Sequence, residues 1–353
     1  MAQTESSSQE LFLSSSPHIA STVPARALMR NVLIALAPVT VFAVVIFGFP
    51  ALLNILVSVA AAVAGESLFR IIIKQDVRVK DLSAVVTGLL LALTLPPTTP
   101  PWMTALGAVF AVVVAKEFFG GLGANVFNPA LIGRAFLLMS FPAAITSWAR
   151  PNGFATSFAD TVTGATPLGI FQLDSVLPGG GISAAQGIAA VGADFARAAL
   201  APSAGFGDAM RTLFLGVHGG SAGETSIALI LVGCVFLLIT RTIDWRAPLA
   251  MFCSAFIISP ILGFNPLFSV LSGGLLFGAV FMATDYVSAP LTARGKVIFG
   301  CGAGIIAMLI RRFGNYPEGV SYAILIMNAA SPFLNRLLQK KYGFVAKPKG
   351  AAK

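Results

Sequence analysis

Two short stretches of this 353-residue chain carry side chains whose type and spacing suit chemistry. The first is Asp160-Thr161-Val162-Thr163-Gly164-Ala165-Thr166-Pro167-Leu168. It reads as a loop, because Thr, Gly and Pro in this company interrupt strands and helices. Its plainest reading is a turn in which a Thr hydroxyl bonds its own backbone. The second runs from Phe119-Gly120-Gly121-Leu122-Gly123-Ala124-Asn125 to Asn128-Pro129. Gly120 and Gly121 let backbone approach a ligand closely. Asn125 and Asn128 offer amide donors and acceptors that suit the edge of a neutral heteroaromatic ring. The competing reading is a tight turn with Asn128 as N-cap and Pro129 at the first helical position. Glu66, the Lys116–Glu117 pair and Asp285 are further candidates, since ionisable groups inside a bilayer are functional by default. At the ends of spans they merely reach the interface.

Other chemistries are excluded. Cys234, Cys253 and Cys301 lie in apolar runs without a CxxC, and His18 and His218 are the only histidines. No metal site is expected from such a set, and no iron–sulfur ligation. No G-x-G-x-x-G follows a strand, so the chain does not bind NAD by that route. No catalytic residue is assigned.

The elements that position these residues follow from composition. Hydrophobic side chains make up 56% and charged ones 10%, against about 25% charged in soluble domains. A mean hydropathy of +0.86 excludes a soluble enzyme, a nucleic-acid-binding module and a disordered chain. The excess of 23 basic over 14 acidic residues reflects cytoplasmic loops of a membrane protein rather than nucleic-acid binding.

About 20 apolar residues cross a bilayer. Spans are expected near 31–49, 51–69, 82–97, 102–119 and 127–147, then near 226–240, 247–263, 265–284, 297–313 and 319–338. The chain divides into an N-terminal cytoplasmic segment (1–30, with no cleaved signal peptide evident), a first five-helix half (31–149), an outer loop (150–225), a second five-helix half (226–338) and a basic cytoplasmic tail (339–353). With both termini inside, all of the 23 Lys and Arg except Arg150, Arg197, Arg211, Arg311 and Arg312 fall on the inner side. That asymmetry sets an N-in, C-in topology with the 150–225 loop outside. Arg311 and Arg312 run against the rule and are expected to face protein or a neighbouring polypeptide.

Five spans per half make the two copies antiparallel. Gly88-Leu89-Leu90 of the third span pairs with Gly274-Leu275-Leu276 of the eighth, and Asn128-Pro129-Ala130 with Asn328-Ala329-Ala330. The expected fold is an all-α polytopic membrane protein of about ten transmembrane helices, in two inverted five-helix repeats with broken helices. Such folds hold their sites where helices break. The prolines of Leu95-Pro96-Pro97-Thr98-Thr99-Pro100-Pro101 mark one break. The glycine-rich stretch before Asn128 marks another. On these features alone, a small-solute channel or transporter of urea-transporter-like architecture also fits.

A resemblance separates the two. Asp-x-x-Ser/Thr-Gly-Ala-Thr is similar to the recognition motif of the bacterial flavin transferase, which joins the phosphate of FMN to the last threonine as a phosphoester. Asp160, Thr163, Gly164, Ala165 and Thr166 match it, which implies covalent FMN on Thr166. Residues 30–340 resemble the NqrB/RnfD family, which unites a membrane component of the Rnf ion-translocating oxidoreductase complex with one of the sodium-pumping NADH:quinone reductase. The resemblance rests on Gly120 through Asn128-Pro129-Ala130, Arg134-Ala135-Phe136, Met282-Ala283-Thr284-Asp285 with Val287-Ser288-Ala289, and Pro317-Glu318-Gly319 through Asn328. The shorter chain and Thr-Gly-Ala-Thr-Pro-Leu favour the Rnf branch, and Tyr286 stands where that family often has Pro.

The resemblance implies a flavin-carrying subunit of a translocase in the bacterial inner membrane, not an enzyme alone. Electrons would pass between ferredoxin and NAD through partner subunits, coupled to Na⁺ or H⁺ movement. The implied partners are an outer flavoprotein subunit, iron–sulfur and NAD-binding subunits, the flavin transferase for maturation, and lipid; nucleic acid is not among them. A second, non-covalent flavin, riboflavin, is implied near Asn125, Asn128, Gly120 and Gly121.

Overall fold

The computed structural model describes residues 24–77, 79–149, 211, 213–216, 218–314 and 319–338. The Asp160–Thr166 motif, Pro317-Glu318 and both terminal segments lie outside the described residues. Among the described residues the regular structure is helical throughout.

In the first half, α1 (Ala25–Phe47) and α2 (Phe49–Ile72) are joined at Gly48, whose φ of 69° turns the chain between them. Each has 23 or more residues, a length of about 35 Å that crosses a bilayer. α3 (Ser83–Thr94) has only 12 residues, about 18 Å, and does not cross alone. It stops before Pro96-Pro97, which can supply no N–H to extend it. α4 (Pro101–Val113) continues toward the short 3-10 turn Glu117–Phe119. α5 (Pro129–Ser140) is followed by the single turn α6 (Pro142–Ile145).

In the second half come α7 (Ile227–Ile239), α8 (Arg246–Ile261), the short α9 (Pro266–Leu271) and α10 (Leu275–Phe277), which runs into a π-helical segment (Gly278–Met282). α11 (Ala293–Phe313) and α12 (Val320–Leu338) complete it. Helices or helix pairs thus stand at all ten expected places. The eighth span, expected as one run over 265–284, is broken at Ser272–Gly274, and the fifth at Phe141.

Packing repeats between the halves. α2 lies against α3 and α4, and α4 against α5; correspondingly α8 lies against α9 and α11, and α11 against α12. α1 meets its counterpart α7, and α5 meets α12, so the halves join through equivalent helices. Close approach uses small residues, as expected where lipid offers no competing hydrophobic drive. A Cβ on Gly88 would stand 2.9 Å from the Ser58 carbonyl of α2, and one on Gly300 would strike the Ala247 carbonyl of α8.

The polar face of α2 shows why this helix is central. Asn54, Ser58, Ala62, Glu66 and Arg70 recur every four residues and are all buried, which puts them in one stripe. Asn54 Nδ2 donates to the carbonyls of Pro97 and Thr99, each at 2.8 Å, and its Oδ1 accepts from Thr104 Oγ1 at 3.1 Å. The first break is therefore held by a buried carboxamide. The second break is held by a cation instead. Arg311 of α11 donates to the carbonyls of Ser269 and, at 3.2 Å, Ser272. Arg311 is buried and faces protein, which explains its exception to the charge asymmetry. Arg312 lies 6.0 Å from the Phe264 ring.

Candidate functional site

Three polar centres occupy the interior. The first is an ion quartet at the C-terminal end of α2. Lys116 Nζ stands 3.1 Å from Glu66 Oε1, and Arg70 Nε stands 3.0 Å from Glu117 Oε2. All four side chains are at most 3% exposed. Lys116 also donates to Ser83 Oγ at 2.6 Å, and Ser83 donates onward to Asp81 Oδ1 at 2.7 Å. Burying such charges is tolerated because each has a partner of opposite sign. Gly121, with φ of 89°, packs on this quartet. A Cβ there would lie 2.6 Å from Arg70 Nη2.

The second centre is a cavity of about 70 Å³. Lys116, Ser83, Asn125, Asn128, Phe281 and Asp285 are among the residues that line it. The structure thus brings Asn125, Asn128 and Asp285 together from both halves, while Gly120 and Gly121 lie outside the lining. Asn128 caps α5: its Oδ1 accepts from the Ala130 and Leu131 N–H groups, with Pro129 at the first position. Its Nδ2 reaches the Met282 carbonyl at 3.4 Å, across the interface between halves. Asn125 Nδ2 donates to the Phe127 carbonyl at 3.0 Å. Space of this size holds about five water molecules. A tricyclic isoalloxazine does not fit it as it stands, and the Asn128 carboxamide is committed to the cap.

Thr284, Asp285 and Tyr286 also line a second cavity of about 110 Å³, together with Asp244 and Lys296. This loop is therefore a thin partition between the two spaces. Burial raises the Asp285 pKa above the ordinary carboxylate value, against the opposing hydrogen bonds from Ser288 and the backbone of residues 286–288. Burial, with the nearby Asp285 charge, pushes the Tyr286 phenol up to about 12. Asp244 is the more exposed acid. Burial acts upward on it, but the Arg246 backbone N–H and the Lys296 ammonium together hold it below its usual value.

The third centre was not signalled by any motif. The strap Gly219–Ser226, just before α7, turns back into the protein. Its Ala222 and Gly223 N–H groups donate to the carbonyls of Leu95 (3.2 Å) and Leu93 (2.7 Å). Those carbonyls end α3, where the prolines offer no donor. Gly223 fits only without a side chain: a Cβ would lie 2.7 Å from Leu93 Cβ. Glu224 Oε1 accepts from the Ser221 N–H at 2.9 Å, and Oε2 lies 2.8 Å from where a Gly274 Cβ would stand. The strap thus touches both breaks: the first through the backbone of Ala222 and Gly223, the second through the Glu224 side chain lying against Gly274. Its charge acts on Arg134 of α5, Arg311 of α11 and His218. Burial holds the His218 imidazole below its ordinary pKa. Sequence reasoning passed over Glu224 because a lone acid in a Gly- and Ser-rich loop carries no spacing signal. The only available hint was its place beside an apolar run.

Among the described residues no group of His, Cys, Asp and Glu could hold a metal ion.

The chain matches the model of the NQR2, RnfD, RnfE family over residues 12–343. It is 39% identical to the D subunit of the proton-translocating ferredoxin:NAD(+) oxidoreductase complex of Clostridium ljungdahlii, over 97% of this chain and 99% of that one. It is likewise 39% identical to the D subunit of the Na(+)-translocating ferredoxin:NAD(+) oxidoreductase complex of Acetobacterium woodii, over 97% of this chain and 98% of the other. The D subunit of the ion-translocating oxidoreductase complex of Stutzerimonas stutzeri is 39% identical, over 92% and 95% of the respective chains. With a helical, doubly repeated interior and a match along nearly its whole length, the chain belongs to the NQR2, RnfD, RnfE family.

Proposed function

We propose that this chain is the flavin-carrying membrane subunit of a redox-driven ion pump, passing electrons between ferredoxin and NAD through partner subunits. The observation that carries the reading is the run Asp160-Thr161-Val162-Thr163-Gly164-Ala165-Thr166 in a chain of this family. Thr166 is the residue that would hold FMN, through its hydroxyl. A flavin supplies the one- and two-electron chemistry; the protein supplies its placement. Tethering keeps the group at high local concentration near its electron partners, where a free flavin on a watery face would diffuse away.

The same reading places both termini and the basic tail in the cytoplasm of a bacterial inner membrane, with the flavin loop on the periplasmic side. Its partners are an outer flavoprotein subunit and iron–sulfur and NAD-binding subunits, with the flavin transferase acting during maturation. Relatives named for protons and for Na(+) are equally similar to this chain, so overall likeness does not choose the ion. A second flavin, riboflavin, belongs to the same proposal at the cavity bounded by Asn125 and Asn128. Extraction of non-covalent flavin from the purified complex, before and after Asn125→Leu, tests that part.

The covalent group is tested on a denaturing gel under ultraviolet light. The wild-type complex gives a fluorescent band at the mass of this chain, and Thr166→Ala abolishes it while the protein is still made. A dark wild-type band, in cells that contain the transferase, overturns the reading.

A further inference from the structure

Two exposed apolar stripes end in arginine where the halves join. On α1 the exposed residues Ile34, Val41 and Val45 share a face with Arg30, which is also exposed. On α7 the exposed residues Leu231, Val235 and Ile239 recur every four positions, and their stripe runs out at Arg241, exposed just beyond the helix. The two helices pack together. Asn31 Nδ2 donates to Thr242 Oγ1 at 3.0 Å. Arg30 and Arg241 are the chain neighbours of that bonded pair, so both belong to one end of the α1–α7 seam.

Arg241 holds an unusual place. Its φ is 50°, in the left-handed region. Its N–H donates to the Leu238 carbonyl at 3.1 Å and the Thr242 N–H to the Leu237 carbonyl at 2.9 Å. These are the paired bonds of a helix stop whose left-handed position glycine usually fills. Glycine would make this turn without strain, yet a guanidinium stands there. Among the described residues neither Arg30 nor Arg241 forms an ion pair. Asp244, three positions on, is taken by Arg246 at 3.0 Å and Lys296 at 3.1 Å. Asp285, which borders the same cavity as Asp244, accepts from Ser288 Oγ at 2.8 Å. In the same turn Trp245 is exposed, 5.6 Å from the Arg246 guanidinium. An exposed Trp at the end of an apolar helix sits at the depth of lipid headgroups.

We infer that the end of the α1–α7 seam binds an anionic phospholipid, with its phosphate on Arg30 and Arg241 and its acyl chains along the two stripes. The planar guanidinium fork matches phosphate oxygens two at a time. A zwitterionic lipid brings its own ammonium beside the phosphate and answers these cations less well; a lipid with net negative charge answers them fully. A soluble acidic protein would meet the arginines but leave the stripes bare. A purely apolar helix would cover the stripes but leave both cations unanswered. One amphiphile with an anionic head meets both demands. Seated there, it spans the joint between the two halves. The inference goes beyond flavin attachment and does not depend on it.

Photolabelling of the intact complex in phosphatidylcholine vesicles tests the site. The probe is a trace of phosphatidylglycerol with a photoreactive acyl chain, compared with phosphatidylcholine carrying the same chain, and labelled peptides are read by mass spectrometry. In the wild type the phosphatidylglycerol probe labels the Leu231–Ile239 and Ile34–Val45 segments well above the phosphatidylcholine probe. That excess falls about fivefold for each arginine removed, in Arg241→Gly and in Arg30→Gln. Arg241→Lys keeps most of it, and phosphatidylcholine labelling is unchanged throughout. Glycine suits the turn, so a merely structural role for Arg241 predicts no loss in Arg241→Gly. An excess that survives both variants overturns the proposal, as does equal labelling by the two probes in the wild type. Absence of label from either probe shows that another polypeptide covers the seam and equally overturns it. If the variants do not assemble, the comparison of the two probes in the wild type decides alone.

Discussion

The ion quartet of α2 and the strap centre at Glu224 solve the same problem in opposite ways. In the quartet, Glu66, Arg70, Lys116 and Glu117 alternate in sign, within 4 Å of one another, and Ser83 and Asp81 extend the chain of contacts. At the strap, the Glu224 carboxylate acts on two arginines rather than pairing with one, and Glu224 Oε2, Thr225 Oγ1, Ser272 Oγ and Arg311 Nε make no hydrogen bond among the described residues; in the quartet Glu66 Oε1, Glu66 Oε2 and Arg70 Nε make none either, but each belongs to a group in an ion pair. Matched charges in low dielectric form a rigid joint, because separating them exposes each to a large desolvation penalty. The first ties α2 to the loop before α5. The second lies where the strap Gly219–Ser226 meets both helical breaks.

Breaking the quartet is expected to have the largest effect. Lys116→Met leaves Glu66 facing only Arg70 at 3.7 Å, and the loss is about 3–5 kcal/mol. The complex then fails to assemble, as read on a native gel. Replacing Lys116 and Glu66 together by Met and Leu recovers most of that loss; failure to recover breaks the view of the quartet as a paired unit. Gly223→Ala comes next. The added methyl meets Leu93, and about 1–3 kcal/mol is lost to overpacking, seen as a lower melting temperature of the solubilised complex. Asn128→Ala removes the α5 cap for about 1 kcal/mol and also deprives the Met282 carbonyl of its donor. Asn128→Asp keeps the cap acceptor and falls between.

The smallest effects are those of pH. His218 has its folded-state pKa below the ordinary value, so the unfolded chain binds the proton more readily. Stability then falls as pH drops below the usual histidine range and is regained above it. Asp244, also held low, contributes stability that is present above the ordinary carboxylate pKa and lost in acid. Being partly exposed, it is worth little. Asp285 is raised, so its contribution is present below the ordinary Asp pKa and lost as pH climbs through the raised value. Asp285→Asn removes this last dependence; thermal melts of the variant across pH check it.

Much of this architecture was legible in the sequence. Ten apolar runs fell where helices stand, because span length is set by bilayer thickness and hydropathy reports it. The proline run of residues 95–101 announced the first break. The second break was hidden. Ser272-Gly273-Gly274 carries no proline, and what holds it is Arg311, 39 residues away in sequence. The roles of Asn128 and Gly121 were split for the same reason. Asn-Pro reads equally as a cap or as a ligand, and only packing shows the cap formed and Gly121 set against Arg70. Glu66, Lys116 and Glu117 stood out as charges in apolar surroundings, but Arg70 did not, since a basic residue at a span end passes for an interfacial anchor. Glu224 was invisible for want of any spacing that pointed to it.

The flavin-carrying role stands or falls with the Thr166 hydroxyl, and mass spectrometry of the peptide spanning Asp160 to Thr166 reads that hydroxyl without intermediaries. In complex purified from a cell with an active flavin transferase, the expected peptide is heavier by FMN less one water, with fragmentation placing the group on Thr166. Bare threonine throughout, or FMN on any other residue, rules that role out.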